Sequence, residues 1–358
     1  MPPDLHCPRC GRTEPAGPDE PWRCSCGGPL ELAAAPTPAC PPDAFDRDAG
    51  LWAFDSLLAV DRQVSLGEGW TPLVEAPDWD AQFKLDYVFP SGSFKDRGAT
   101  TTLSRAASLG VERIVEDSSG NAGAAIALYA ARAGIHADIY VPADVKPAKR
   151  SAIAGTGARV VEVEGDREAV SAAARDAVDA GEGWYASHAW NPAFFEGTAT
   201  AAYEIAVQRD FDLPEVVVAP VGHGTMYLGL YRGFQRLAAA GWTDRVPRLL
   251  GVQAAGVDPV ASALGHDAPG HNDLADGIQI AEPARGRQIE TAARETDGDV
   301  IAVEADRTRR AWRALHRAGF HVEPTSAVAV AGLEQFQKRG RSGDAVVVLT
   351  GSGLKTAP

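Results

Sequence analysis

The sequence predicts an α/β protein with two doubly wound α/β domains behind a small N-terminal ribbon. From residue 113 onward, short β-branched runs alternate with alanine-rich runs of helical length. That alternation is typical of parallel sheets covered by helices. All five cysteines lie within the first forty of the 358 residues, which sets the ribbon apart. The expected domains are 1–40 for the ribbon, 41–95 with 190–358 for a large domain, and 96–189 for a smaller one.

Local signals place the individual elements. Strand-like runs are expected at 29–32, 82–88, 113–116, 137–141, 160–163, 216–219, 248–252 and 344–349. Helical runs are expected at 51–58, 99–109, 121–133, 147–154, 167–180, 197–208, 226–240, 307–318 and 326–338. Ligands of open α/β sheets bind where strands end and helices begin, so these junctions are where function is expected.

The composition excludes several classes of protein. With 45% hydrophobic and 23% charged residues the chain is globular, and no apolar run approaches the ~20 residues of a membrane span. The first residues lack the basic and apolar segments of a signal peptide, so a cytoplasmic location is expected. A net charge of −14 disfavours nucleic acid and anionic membranes as partners. Acidity with only six lysines against twenty-eight arginines suggests adaptation to high salt.

The ribbon carries two closely spaced cysteine pairs, Cys7 with Cys10 and Cys24 with Cys26. A CxxC and a CxC, each followed by glycine, can place four thiolates at the corners of a tetrahedron, which suits a closed structural Zn²⁺ site. A cluster of reduced cysteines or a redox pair is the alternative. Cys40 stands in a proline-rich linker and is not expected to be a ligand.

Lys95 stands in the turn SGSFKDRG, between a strand-like run and the helical run at 99–109. Ser93 can cap this helix, which would put Lys95 in its first turn. A lysine beside a helix start, where its charge is disfavoured, is a candidate Schiff-base amine. Taken alone, such a residue is more often an exposed lysine in a capped turn.

Three further loops follow strand-like runs. Asp117–Gly123 offers hydroxyls and N–H groups that suit a carboxylate, and Asn121 can hydrogen-bond an aromatic hydroxyl. Pro220–Met226 is a glycine-rich nest for a phosphate monoester, without the spacing of a Walker or dinucleotide motif. Thr350 can face a pyridine nitrogen without protonating it. Taken alone, the first loop is an ordinary capped loop and the last a C-terminal turn.

A Schiff-base lysine, a phosphate nest and a neutral partner for a ring nitrogen together describe a pyridoxal phosphate pocket. The chain resembles the threonine synthase branch of the fold-type II pyridoxal-phosphate enzymes, in the tryptophan synthase β superfamily. The motifs that carry the resemblance follow one another along nearly the full length: the CxxC…CxC ribbon, LGEGWTPL, SGSFKDRG, SSGNAG, PVGHGTMYLG, VEPTSAVAVAG and LTGSGLK.

The resemblance implies a role for each matching position. Lys95 would carry the cofactor, Asn121 would contact its 3′-oxygen, and Thr350 would meet its pyridine nitrogen. The cofactor phosphate would lie on Gly222, His223, Gly224, Thr225 and Met226. The substrate carboxylate would lie on Ser118, Ser119 and Gly120. The large domain would bind the cofactor, and the enzyme would be a homodimer that acts on a small amino acid.

Two segments depart from the family pattern. The segment NPxRxEGQK, whose arginine helps to bind the phosphate of O-phosphohomoserine, reads NPAFFEGTA here. Phe194 stands in place of the arginine and Ala199 in place of the lysine, and a phenyl ring supplies no phosphate fork. LADGI at 274–278 is closer to the dehydratase branches. The cations that can compensate are Arg97, Lys149, Arg150, Arg285 and Arg287.

The reaction that the resemblance implies converts O-phosphohomoserine and water to threonine and phosphate, with Lys95 moving protons at Cα and Cβ. The missing arginine favours an alternative, which is a threonine/serine ammonia-lyase or a β-replacement enzyme of the cysteate synthase type. A non-catalytic binding protein on the same fold is a further alternative, which the retained Lys95 and the three loops disfavour.

If the acidic composition is an adaptation to salt, the protein should lose stability in dilute buffer, where like charges are no longer screened. We expect the thermal midpoint, followed by circular dichroism, to rise from dilute buffer to molar potassium chloride. Equal stability across that series would contradict the hypothesis.

Overall fold

The computed structural model describes residues 2–33, 41, 44–266, 268–340 and 343–355, so Cys40 lies outside the described residues. By its packing, the chain divides into two compact units. The described residues of the first unit are 2–33, Ala44–Gly69 and Lys95–Gly197. Those of the second are Pro41, Trp70–Phe94 and the described part of 198–355. None of the described helices is long and apolar enough to cross a membrane.

Strands and helices alternate along most of the chain. The strands of the described residues are β1 (Leu5–His6), β2 (Thr13–Glu14), β3 (Glu31–Leu32), β4 (Leu73–Ala76), β5 (Ala81–Lys84), β6 (Arg113–Glu116), β7 (His136–Pro142), β8 (Arg159–Val163), β9 (Trp184–Tyr185), β10 (Val216–Pro220), β11 (Arg248–Ala254), β12 (Asp299–Val303) and β13 (Ala345–Val348). The α-helices are α1 (Lys95–Ser108), α2 (Asn121–Ala133), α3 (Pro147–Ala154), α4 (Arg167–Asp179), α5 (Pro192–Gln208), α6 (Thr225–Ala239), α7 (Pro259–Ala263), α8 (Gly286–Glu295), α9 (Ala305–Arg317) and α10 (Pro324–Lys338). Segments of 3₁₀ helix cover Arg47–Leu57, Pro77–Trp79, Asp86–Val88, Asp276–Ile278 and Gly353–Lys355.

The first unit is built on a parallel four-stranded sheet in the order β8-β7-β6-β9, against which α2 and α4 pack. Local chemistry sets the helix ends. Gly134 ends α2 in the left-handed conformation, Pro147 opens α3, and the Asp166 carboxylate caps α4 by accepting a hydrogen bond from the Ala169 amide. Because β6 and β9 are parallel neighbours, the residues that follow them meet at one edge of the sheet.

The N-terminal ribbon belongs to this first unit and forms a three-stranded antiparallel sheet in the order β2-β1-β3. Arg105 of α1, which is buried, forms an ion pair of 2.5 Å with Glu20 of the ribbon. Trp22 packs edge to face on Tyr185 of β9. A buried ion pair and an aromatic contact therefore hold the ribbon against the helices and strands of the unit.

The second unit is built on a six-stranded sheet in the order β12-β11-β10-β13-β5-β4, parallel except for the edge strand β4. The central strands β10 and β13 are buried along their whole length, which explains their runs of valine. Helix α10 packs against β10 and β11, and Gly332 allows the approach, since a Cβ there would lie 2.4 Å from the Val252 side chain. The loops that follow β10 and β13 therefore begin side by side.

The predicted α/β fold is confirmed, and most predicted elements occur within a few residues of their expected bounds. Helices α2 and α3 coincide with the predicted 121–133 and 147–154. The strand predicted at 82–88 ends at Lys84, because Asp86–Val88 coils into a 3₁₀ segment. Among the described elements, the sequence patterns do not predict strands β1, β2, β4, β9 and β12 or helices α7 and α8, since these are short or lack a clear periodic pattern.

The two units differ from the predicted domains at several segments. Residues 44–69 and 190–197, predicted in the large domain, belong to the unit of the smaller sheet, and the described part of the ribbon belongs to that unit as well instead of standing by itself. One contact that holds residues 44–69 in this unit is the hydrogen bond of 2.9 Å that the Ala59 amide donates to the buried Glu196 carboxylate.

Lys84, at the end of β5, forms a fully buried ion pair with Glu204 of α5 at 2.6 Å. Its ammonium group also donates to the Thr71 carbonyl at 2.6 Å and to Gln208 Oε1 at 2.8 Å. All three ammonium hydrogens therefore have acceptors, as a buried lysine requires. This network joins β5 to α5 and to the chain before β4.

Lys84→Met should destabilise the protein by about 3–5 kcal/mol, because it leaves the Glu204 carboxylate buried without its cation. Urea unfolding followed by tryptophan fluorescence measures the loss. The double variant Lys84→Met with Glu204→Leu removes both charges and should recover most of the stability. A single variant as stable as the parent protein would contradict the assignment.

Candidate active site

Lys95 is the first residue of α1, and backbone hydrogen bonds fix the segment before it. The Phe94 amide donates to the Thr350 carbonyl at 2.9 Å, and Ser93 forms a β-bridge with Gly351, all within the second unit. Lys95 therefore follows directly after a segment that is held by the loop at the end of β13.

Phe194 is fully buried beneath the first turn of α1. Its ring centre lies 5.6 Å from Lys95 Nζ. Gly98 makes this approach possible, because a Cβ there would lie 2.3 Å from the ring. One turn along, the Thr101 hydroxyl donates to the Ala193 carbonyl at 2.8 Å. The position where the resemblance implies an arginine is thus an apolar wedge between α1 and α5.

Glu116 and His188 meet at the edge of the four-stranded sheet, because Val115 of β6 pairs with Tyr185 of β9. His188 Nδ1 lies 2.9 Å from Glu116 Oε1. The His188 ring packs edge to face on Phe194, with 6.1 Å between the ring centres. The Glu116 side chain is fully buried, whereas that of His188 is 12% exposed. Neither residue was singled out by the sequence patterns, since a strand-end carboxylate and a loop histidine are common.

The surroundings of Glu116 favour its protonated form. Burial raises the pKa of Glu116 well above its usual value, the charge of Asp117 raises it further, and the charge of Lys95 opposes both. Burial and the charges of Asp117 and Glu116 likewise raise the pKa of Tyr185. A carboxyl group of raised pKa beside a histidine titrates with it as one pair, which can retain a proton near neutral pH.

The loop Ser118–Gly120 lies between β6 and α2, as predicted. The Ser118 hydroxyl accepts a hydrogen bond from the Gly120 amide at 3.2 Å. Gly123 allows the tight turn, since a Cβ there would lie 1.7 Å from the Ser118 carbonyl oxygen. The loop is half-buried, and Asn121 is the first residue of α2. Accessible hydroxyls and amides at the start of a helix can receive a carboxylate.

The loop Gly222–Met226 joins β10 to α6, and Thr225 and Met226 are the first two residues of the helix. Gly224 has a φ of +78°, and a Cβ there would lie 2.4 Å from Ile289 of α8. A Cβ at Gly222 would lie 3.0 Å from the Ile278 backbone. Glycine is thus needed at position 224 and favoured at 222, and the loop brings backbone N–H groups to a helix N-terminus. This cradle fits a phosphate monoester.

Thr350 follows β13 and is fixed by Ser326 of α10. The Ser326 hydroxyl accepts hydrogen bonds from the Thr350 and Gly351 amides, both at 2.9 Å, and lies 3.1 Å from the Thr350 hydroxyl. Glu323 lies against the same loop, because a Cβ on Gly351 would lie 2.2 Å from its carboxylate. The motif VEPTSAVAVAG therefore supplies the support of the Thr350 loop, a role that the sequence patterns did not give it.

Glu68 of the motif LGEGWTPL also has a role beyond the turn that its sequence predicts. Its buried carboxylate accepts hydrogen bonds from the Leu66 amide at 2.7 Å, the Trp52 indole at 3.2 Å and the Tyr129 hydroxyl at 3.0 Å. Tyr129 lies 3.4 Å from the Asp96 carboxylate, next to Lys95 in the chain. Burial and the charges of Asp96 and Glu68 raise the pKa of Tyr129, so its hydroxyl stays a donor.

The four ribbon cysteines come together. Their sulfur atoms all lie within 4.8 Å of one another, with Cys7 and Cys26 at 3.6 Å and Cys10 and Cys24 at 3.5 Å. None of the four is in a disulfide. Thiolates about 2.3 Å from a tetrahedral Zn²⁺ are about 3.8 Å apart, so the spacing fits that ion. The Cys26 backbone N–H lowers the pKa of the Cys24 thiol to about 6. For Cys10 the Arg12 backbone lowers the pKa, but the other three cysteine side chains and burial outweigh it and raise the pKa to about 11.

The cations that can replace the missing arginine have different surroundings. Arg97 in the first turn of α1 and Arg285 at the start of α8 are buried. Arg150 lies at the surface in an ion pair of 2.7 Å with Glu162. Lys149 is half-buried and Arg287 is exposed. Compensation by any of them stays a prediction.

Comparison with known proteins identifies the family of the chain. Residues 64–353 match the family model described as pyridoxal-phosphate dependent enzyme. A threonine synthase of Methanosarcina acetivorans is 33% identical over 324 residues, covering 85% of this chain and 80% of the relative. A threonine synthase of Methanocaldococcus jannaschii is 31% identical over 379 residues, which cover 98% of this chain and 92% of the relative.

Solved structures share the fold. A threonine deaminase from T.th. matches with a TM-score of 0.68 at 25% identity, covering 81% of this chain and 94% of that one. The processed form of threonine deaminase isoform 2 from Solanum lycopersicum matches with a TM-score of 0.69 at 20% identity. The match covers 94% of this chain and 93% of that one. The family match spans most of the chain and includes every residue of the two α/β sheets. This chain therefore belongs to the pyridoxal-phosphate dependent enzymes of fold type II, with threonine synthases among its relatives.

Proposed function

We propose that this protein is a lyase of the threonine synthase type, which converts O-phosphohomoserine and water to threonine and phosphate. The observation that carries the proposal is the identity of 31–34% to several threonine synthases over most of the chain. The cytoplasmic location, the homodimer and the adaptation to salt stay predictions.

The residues of the candidate site fit pyridoxal phosphate. The cradle formed by Gly222–Met226 suits its phosphate, and Thr350 offers a hydroxyl to its ring nitrogen. Lys95 would carry the cofactor as a Schiff base and Asn121 would contact its 3′-oxygen. When bound, the cofactor supplies an electron sink that stabilises negative charge at the substrate's Cα.

The chain's own residues would perform the remaining tasks. Ser118, Ser119 and Gly120 would bind the substrate carboxylate at the start of α2. The Lys95 amine would remove the proton at Cα and transfer a proton from Cβ to Cγ, as a positioned general base. The buried Phe194 ring would keep water away from the lysine. Thr350, which has no acidic proton to give, would leave the ring nitrogen neutral.

A threonine/serine ammonia-lyase is the second candidate, and a β-replacement enzyme of the cysteate synthase type belongs to the same class of alternatives. The buried Phe194 favours both, because position 194 offers no guanidinium to a substrate phosphate. A hydroxyl leaving group needs a proton donor instead of a fixed cation.

Purified holoenzyme should release phosphate from O-phosphohomoserine and form threonine, with no keto acid from threonine or serine. Lys95→Ala should lose the visible absorbance of the lysine-bound cofactor, and its turnover should fall by about 100-fold or more. Lys338→Ala, which changes an exposed lysine at the end of α10, is the matched control and should behave as the parent enzyme.

Two outcomes would contradict this function. Keto acid and ammonia from threonine or serine, without phosphate release from O-phosphohomoserine, would favour the ammonia-lyase. A colourless protein that binds no cofactor would favour a non-catalytic binding protein on this fold.

We also propose that Cys7, Cys10, Cys24 and Cys26 hold a structural Zn²⁺. The sulfur spacing supports the proposal, and four protein ligands would leave no position for catalysis. The ion would stabilise a ribbon whose three strands have only two residues each, and its loss should therefore loosen the ribbon.

Cys10→Ser should reduce the zinc content, measured by atomic emission, from about one ion per chain to near zero, because three thiolates bind Zn²⁺ far more weakly than four. Its thermal midpoint should fall as well. Cys40→Ser, which changes the one cysteine that the sequence does not predict to be a ligand, should retain both. Equal zinc content in the two variants would overturn the assignment.

A further inference from the structure

We propose that Glu116 and His188 form a second acid–base group beside Lys95, in which His188 handles the proton of the oxygen that leaves the substrate and of the water that enters. The proposal rests on the lyase function proposed above. His188 is then a catalytic residue, and Glu116 acts through it as a positioning residue.

The Phe194 ring is the contact that connects the two groups within the first unit. Its centre lies 5.6 Å from Lys95 Nζ and 6.1 Å from the centre of the His188 ring. Glu116 holds His188 through Nδ1 at 2.9 Å. In such a pair the carboxylate fixes the orientation of the imidazole and stabilises its charged form, which is how a buried carboxylate supports a histidine base.

Glu116 is not explained by packing alone. Its side chain is fully buried, and Oε2 has no partner among the described residues at hydrogen-bond distance and angle, although the backbone N–H groups of His188 and Asp117 lie close enough to lower the pKa of the carboxyl group. A buried carboxyl oxygen without a partner is costly and is rare in folded proteins outside functional sites. The partial exposure of His188 gives the pair a route to a bound molecule, whereas Glu116 itself has none.

The charges around the pair allow it to carry a proton. The titratable groups that face it are Asp117 at the end of β6, Tyr185 from β9 and Lys95 from α1. The charge of Asp117 makes loss of the last proton from Glu116 unfavourable, and Lys95 opposes it. In the proposed mechanism the pair holds one proton between its two members, which is the state that a general acid needs before the reaction.

The proposed reaction needs such a proton. When the Cγ–O bond breaks, its electron pair leaves with oxygen, and a phosphate monoester dianion would depart as the strongly basic trianion unless it receives a proton. His188 would give that proton, so that phosphate leaves as the hydrogen phosphate dianion. When water then adds at Cβ, the O–H bond breaks and its proton returns to His188. The pair ends the cycle in its initial state, and Lys95 remains free for Cα, Cβ and Cγ.

The test separates the work of Lys95 from that of His188. In deuterated water, exchange of the substrate's Cα proton followed by NMR reports Lys95 alone, whereas product formation requires the C–O step. In His188→Gln, the visible cofactor absorbance and the Cα exchange should persist, while product formation falls by about 100-fold or more. Glu116→Gln should give a smaller loss and move the acidic limb of the pH–rate profile.

His266→Gln is the matched control, because His266 forms a similar pair with Asp299, at 2.6 Å, in the second unit. It should leave exchange and product formation unchanged. Equal losses of exchange and product in His188→Gln, or no loss of product, would overturn the proposal. If His188→Gln no longer binds the cofactor, Glu116→Gln is the variant that tests the proposal. It should then lose more of its product formation than of its Cα exchange.

The experiment uses whichever substrate is turned over. If only threonine or serine reacts, the proposed threonine synthase activity fails, but the oxygen that leaves is then a hydroxyl and the role of His188 is tested in the same way. The failure of one proposal is therefore distinguishable from that of the other.

Discussion

The first turn of α1 depends on one buried carboxylate, that of Glu68. It gathers donors from three separate stretches of chain, and one of them, the Tyr129 hydroxyl, lies within reach of Asp96 as well. Removing the carboxylate would leave buried donors unsatisfied, at about 1–3 kcal/mol each. Because Asp96 follows Lys95 directly, this network contacts the first turn of the helix that Lys95 begins. A motif whose sequence predicts only a turn thus supports the segment that carries Lys95.

Within the second unit, the Ser326 hydroxyl fixes the residue that precedes Lys95 in the chain. Ser326 binds the amides of Thr350 and Gly351, and the Thr350 carbonyl in turn binds the Phe94 amide. The loop that presents the Thr350 hydroxyl therefore also fixes the residue before Lys95. Preorganisation of this kind allows a reactive group to work without rearrangement. Phe94 and Thr350 are thus coupled through the backbone within the second unit, so a change at Ser326 would move both.

Much of this could be predicted from sequence, because the signals are local. Pro147, Gly134 and the valine runs of β10 and β13 indicate the elements that they occupy, and the glycines of Gly222–Met226 indicate a cradle. What could not be predicted depends on contacts between distant segments. His188 meets Glu116 only because β6 and β9 pair, although 72 residues separate them. Helix α8 has no clear sequence pattern either. Its Ile289 nevertheless packs against Gly224 of the cradle, 65 residues earlier in the chain.

The segment NPAFFEGTA shows which parts of the family pattern packing preserves. Gly197 must be glycine, since a Cβ there would lie 1.8 Å from the Arg97 carbonyl oxygen, and Glu196 binds the Ala59 amide. The two departures, Phe194 and Ala199, are both buried. An arginine at 194 would have to leave the wedge beneath α1 or bury its charge there, which is unfavourable without a partner. The loss of the guanidinium is therefore part of the packing of this core, and a substrate phosphate would need its proton or its cation from a neighbouring residue such as His188.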